Sequence, residues 1–140
     1  MLTGMALTVF AAGAAWQDLR KDKILNKYVM AGCLTGLLLQ AAAGGGHVLG
    51  IRILSVAAAL AIGFPFYLIG ALGAGDVKCL AAAAAFVPLG EWFLLSATAL
   101  VIAAVYGAGK LIVKRSVHGR VHFAVPVLIS VILLQGVTAV

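Results

Sequence analysis

Residues 52–72 read RILSVAAALAIGFPFYLIGAL, and after Arg52 the run carries no charge. About 20 apolar residues suffice for a helix to cross a ~30 Å hydrocarbon core, so this run reads as a membrane span. Working outward, further apolar runs lie at roughly 1–17, 28–43, 77–89, 92–113 and 123–140. The whole chain has the same character: its 140 residues are 64% hydrophobic and 10% charged. Soluble domains carry roughly 45–50% and about 25%. A soluble fold with so few charges cannot cover its surface, so the expected class is all-α and polytopic. It forms a single transmembrane domain, 1–140, of about six helices. No cation precedes Arg20, which argues against a cleaved signal peptide and makes residues 1–17 a retained first span.

The fourth run is short. A helix over 77–89 covers only about 20 Å at 1.5 Å per residue, so the bilayer thins there or one helix end starts below the surface. Its alanine-rich core, Leu80–Phe86, suits close helix approach at the centre of a bundle. Gly44–Gly46 mark a turn between the second and third runs, and Pro65 predicts a kink in the third.

Charge alternates along the loops. Arg20, Lys21, Lys23 and Lys27 fall in the first, Lys78 in the third, and Lys110, Lys114, Arg115 and Arg120 in or beside the fifth. Arg52 alone falls on the other side. The positive-inside rule then places those three loops in the cytoplasm and both termini outside it. The net charge of +6 thus follows membrane topology. No basic stripe interleaved with aromatics is present, and nucleic acid is not an expected partner. Cys33 and Cys79 lie singly in apolar runs and read as small buried hydrophobes. His47, His118 and His122 read as interfacial. No metal or cofactor is expected.

Four carboxylates exist: Asp18, Asp22, Asp76 and Glu91. Glu91 and Asp22 read as solvated loop charges. Asp18 and Asp76 each stand where an apolar run meets a cytoplasmic loop, and an ionisable group there is a functional candidate. Each also has an ordinary explanation. Asp18 could cap a helix or pair with Arg20, and Asp76 could cap the fourth helix. The local pattern around Asp76, Gly73-Ala74-Gly75-Asp76-Val77-Lys78, shifts the balance. Glycines around Ala74 permit unusual turns and close approach of another chain.

The pair of acidic motifs resembles the type IV prepilin peptidase family. GxGD followed two residues later by Lys78 is similar to that family's second aspartate motif. Asp18-Leu19-Arg20 followed by Ile24-Leu25-Asn26 resembles the first, with Leu25 where the family often has proline. Phe123-Ala124-Val125-Pro126 is loosely similar to the start of its last span. Presenilin-like proteases share GxGD but are much longer, and their first aspartate lies within a span. The resemblance implies a membrane aspartic endopeptidase of the bacterial inner membrane. Asp18 and Asp76 would be catalytic at the cytoplasmic face, supported by Arg20, Asn26, Gly73, Gly75 and Lys78. The implied substrate is a prepilin or pseudopilin with a short basic leader before an apolar helix. The chain has no CxxC pair, so the resemblance is to the short branch without an N-terminal methyltransferase-type region, which serves Flp-type (tight-adherence) pili. Two readings compete: a small ion- or proton-coupled transporter or channel subunit using Asp18 and Asp76, and an inactive pilus-assembly component.

Overall fold

The computed structural model describes residues 2–114 and 122–138, and these fold into helices joined by short turns. The helices are α1 (Leu2–Lys21), α2 (Asn26–Leu68), α3 (Ala74–Ala83), α4 (Leu89–Lys114) and α5 (Ala124–Thr138). Arg115, His118 and Arg120, the side chains of Lys110 and Lys114, and the last two positions of the sixth apolar run lie outside the described residues.

The second and third apolar runs share α2, a continuous run of 43 residues. Held straight it would reach about 65 Å, twice a hydrocarbon core. It is broken at Gly45, whose φ of 71° and ψ of −168° leave the helical region. The two limbs fold back on each other: Val29, Met30 and Cys33 of the first line the same cavity as Val56 and Leu60 of the second. Gly44–Gly46 therefore make a turn, as expected. The kink expected at Pro65 is not the break, because the backbone keeps helical dihedrals there. Pro65 sits in the penultimate turn, where its missing N–H removes one bond close to the end. The helix then stops in a Schellman arrangement. Gly70 takes φ 75°, Ala71 N–H donates to Phe66 O, and Gly70 N–H donates to Tyr67 O, which satisfies the last carbonyls.

Helix α3 is the centre. At ten residues it extends only about 15 Å. Its side chains from Cys79 on, and those of the turn through Val87, are buried. The small alanines let neighbours come close: a Cβ added at Gly36 of α2 would lie 3.0 Å from the Ala85 Cβ. Trp92 of α4 donates its indole N–H to Leu80 O at 2.7 Å, and Gln40 of α2 donates to Phe86 O. Leu80 O also accepts the Ala84 N–H and Phe86 lies in the turn after the helix, so the two side chains tie the end of α3 and its following turn to α4 and α2.

Helices α1 and α5 run antiparallel. Thr8 meets Gln135 at one end, and Asp18 meets Ala124 at the other. Helix α1 also packs against the first limb of α2, where Phe10 stacks on Tyr28 and the Tyr28 hydroxyl donates to Phe10 O.

The outer surface is apolar. Val9, Met30, Leu54 and Ile69 are largely exposed, and α2 is highly apolar yet mostly unburied. A helix apolar on all sides needs protein or lipid around it. Two helices, Asn26–Leu68 and Leu89–Gly109, are long and apolar enough to cross a membrane. Together with the outward-facing apolar side chains, this describes a membrane-embedded protein.

The Gly45 conformation lies in a region essentially restricted to glycine, and a Cβ there meets no neighbour within 4 Å. Gly45→Ala should therefore cost about 1–3 kcal/mol through backbone strain alone. Gly46→Ala, helical and equally open, should be neutral or slightly stabilising. Thermal melts of both variants in detergent compare the two. Equal melting temperatures would refute the strained turn.

Candidate active site

Five segments converge at one end of the bundle. The end of α1 brings Asp18 and Asp22, and the connection to α2 brings Lys23 and Ile24. Asn26 opens α2, Gly73 to Lys78 surround the start of α3, and His122 precedes α5. Together they line a cleft of about 480 Å³. Glu91 lines a separate pocket at the opposite end, with Thr3, Gln40 and Gln135.

Asp76 is the third residue of α3. Its Oδ2 accepts the Gly73 N–H at 3.1 Å, half of a capping box. The ordinary capping explanation is thus real, and it fixes the carboxylate at the mouth of the cleft. The two motif glycines differ. Gly73 has φ −72° and ψ 154°, which any residue can adopt, and Gly75 is not among the positive-φ residues. The unusual turn expected of the pair is supplied by Gly70 instead. What Gly73 provides is space: a Cβ there would lie 2.9 Å from Asp76 Oδ2. At Gly75 the nearest atom to an added Cβ is 3.9 Å away.

Asp18 sits in the last turn of α1, half-buried. Its Oδ2 accepts the N–H of Ala124, the first residue of α5, at 3.3 Å. Asp76 thus sits in the first turn of its own helix, and the Asp18 carboxylate, from the end of α1, meets the N-terminus of α5, where the helix dipole favours negative charge. Burial works against this at Asp76. It pushes that carboxyl up to about 6, held back by the Gly73 hydrogen bond and raised further by the charge on Asp18. Desolvation outweighs the cap because Asp76 is surrounded by the buried start of the bundle core. The Asp18 charge is the smallest of these three contributions, and the two carboxylates line the same cleft despite their separation in sequence.

The other expected residues divide. Lys78 donates from Nζ to Asn26 Oδ1 at 3.2 Å, tying α3 to the start of α2 across the cleft. Arg20 does not reach it, and neither does it pair with Asp18. Its guanidinium lies 4.3 Å from the centroid of the Trp16 ring, one turn back on the same helix. Asp22, expected to be a solvated charge, lines the cleft with Oδ1 2.9 Å from Nε2 of His122. That pair and the Ala124 amide are the components that sequence reasoning missed. The contact joins residues 100 positions apart, and no local pattern announces it. Among the described residues no group of three or more His, Cys, Asp or Glu is arranged to hold a metal ion.

The arrangement offers two carboxylates, one of them raised by burial, in a cleft open to water beside an apolar bundle. Such a pair can share a proton. One member then takes a proton from water while the other donates to a carbonyl oxygen. Against known proteins, a family model described as the type IV leader peptidase family matches residues 5–108. That stretch holds Asp18, Asp76 and every other cleft residue except His122. No curated protein and no solved structure matches the chain.

The raised Asp76 carboxyl makes stability depend on pH with a definite sign. Between the ordinary value of 3.8 and about 6, the folded state binds more protons than the unfolded state. Asp76 therefore favours the fold below that window, and its contribution is lost as pH rises through it. Asp76→Asn should flatten the melting curve between those limits and should gain on the wild type toward neutral pH. Parallel pH profiles of the two proteins would contradict the assignment. Gly73→Ala should displace the Asp76 carboxylate and lower activity well below that of Gly75→Ala at equal protein level.

Proposed function

The chain belongs to the type IV leader peptidase family, and from that premise we propose that it is a membrane aspartic endopeptidase with Asp18 and Asp76 as its catalytic pair. The observation that carries this is the convergence of the two acids, from separate helices, on one water-accessible cleft at one end of an apolar bundle. In this reading the pair works as a unit with macroscopic pKa values. The charged carboxylate draws a proton from water. The protonated one polarises the scissile carbonyl and stabilises the developing oxyanion. Lys78 and Asn26 brace the cleft, and Gly73 leaves Asp76 room to turn.

The substrate we infer is a prepilin or pseudopilin of the Flp type. A short basic leader precedes an apolar helix, and the leader is removed at the cytoplasmic face of the bacterial inner membrane. Supporting this are the cations clustered at the cleft end, Arg20, Lys21, Lys23, Lys27 and Lys78, with Arg52 near the Gly45 turn at the far end. By the positive-inside rule the cleft end faces the cytoplasm. The chain would then pass six times between the two ends of the bundle, in α1, the two limbs of α2, α3 with the turn that follows it, α4 and α5, with both termini outside. Methylation of the mature pilin is not part of the proposed activity. The carboxylates stand at one end of the bundle rather than halfway along it. That favours a peptidase acting at a membrane boundary over an ion- or proton-coupled carrier, whose site lies near the midplane.

Co-expression with a prepilin tests the reading by mobility shift. Asp18→Asn and Asp76→Asn should each abolish cleavage at unchanged membrane level, a loss of at least about a thousandfold given how pairs that act as a unit behave. Cleavage retained in either variant removes that residue from the mechanism.

A further inference from the structure

The Asp18 carboxylate is held by a single described hydrogen bond, from the Ala124 N–H, at 3.3 Å. That is beyond the usual range for such bonds, and alone it fixes the position of a carboxylate poorly. A second contact joins the same two elements close by. Asp22 is one helical turn beyond Asp18, its own N–H donating to Asp18 O at 3.0 Å. Its Oδ1 lies 2.9 Å from Nε2 of His122, two residues before Ala124. The end of α1 and the start of α5 therefore meet at two adjacent points, 18 with 124 and 22 with 122. Between the α5 points, Phe123 is buried, so motion at His122 is passed to Ala124 through a short anchored segment. Asp22 takes φ 49°, the positive-φ non-glycine residue among those described. Aspartate tolerates that region better than most residues, and such conformations persist where the surroundings hold them.

We propose that Asp22 and His122 form a clamp that positions Asp18 for catalysis, by holding the first turn of α5 where the Ala124 amide meets the Asp18 carboxylate. Both are positioning residues that act through Asp18. The proposal rests on the reading of Asp18 as half of the catalytic pair. His122 and α5 lie beyond the stretch that the family model matches. The Asp22 and His122 side chains are 57% and 25% exposed, and an exposed ion pair adds little to stability. Small displacements of a reacting group, in contrast, are costly to rate. The clamp should therefore be visible in turnover and nearly silent in folding. The other charged groups lining the same cleft are Asp18, Asp76, Lys23 and Lys78, and among the described contacts none of their side chains bonds to the side chain of His122 or Asp22.

The test uses the full chain in detergent with a peptide comprising a basic leader and the start of an apolar helix. Wild type, Asp22→Ala, His122→Ala, the double variant and His122→Gln are compared. Each alanine variant should lose about tenfold or more in kcat with KM nearly unchanged and melting temperature close to wild type. The double variant should be no worse than either single, since both break one contact. His122→Gln, whose amide can still donate to Asp22, should recover most of the rate. Wild-type kcat in either alanine variant would overturn the clamp, as would a loss carried by KM, a loss tracking the folded fraction, or losses that multiply in the double. Asp18→Asn in the same assay separates the two levels. If it is inactive while His122→Ala is at wild type, only the clamp falls. If it is active, the catalytic pair falls and the clamp with it.

Discussion

Helix α3 is only ten residues long, and its run of small side chains is buried between the limbs of α2, Trp92 of α4 and the neighbouring α5. Both facts are needed to place the cleft. A helix of about 15 Å cannot reach across a ~30 Å hydrocarbon core. One of its ends must therefore lie inside the boundary of the bundle, and longer helices must surround it. The lower end is sealed by side chains: Trp92 and Gln40 take up carbonyls at Leu80 and Phe86. The upper end opens into the cleft, and Asp76 stands there. Alanines at 81–85 are what permit this. Larger side chains would push the limbs of α2 away and leave the short helix without a binding site in the bundle.

The same geometry sets the chemistry. Asp76 is close enough to water to exchange protons and buried enough that its charged form is disfavoured. The hydrogen bond from the Gly73 amide moderates the shift. Asp18 arrives from α1 and is met by the first amide of α5. Each acid is thus held by a backbone N–H from a different helix start. The rigidity of the site depends on α3 and α5 being held against α1, and not on side-chain bonds between the acids. The Lys78–Asn26 bond on one wall and the Asp22–His122 contact on the other are cross-braces between elements distant in sequence.

Much of this was legible in the sequence. Composition and the long uncharged runs specified helices facing lipid, because no other solvent accommodates so much apolar surface. The brevity of residues 77–89 left a thinned bilayer and a helix end below the surface both open, and their alanines pointed to a central helix. GAGD at 73–76 and the acid at 18 stood out because carboxylates at span boundaries are costly without a use. The division of α2 at Gly45 was visible as a glycine run, whereas the backbone at Pro65 keeps helical dihedrals. Proline near a helix end costs little, while a glycine with positive φ reverses the chain.

What the sequence could not decide was which groups meet across the bundle. It determined the helices, the acids and the end of the molecule where they gather, since these follow from local composition, periodicity and charge. Only the tertiary structure decided that Arg20 turns back onto Trp16, that Asp22, though largely exposed, meets His122, and that Gly73 is small to make room for a carboxylate and not to bend the chain. Each of these depends on packing between segments that no local pattern links, so the partner of a side chain is fixed by which helices share an end of the bundle.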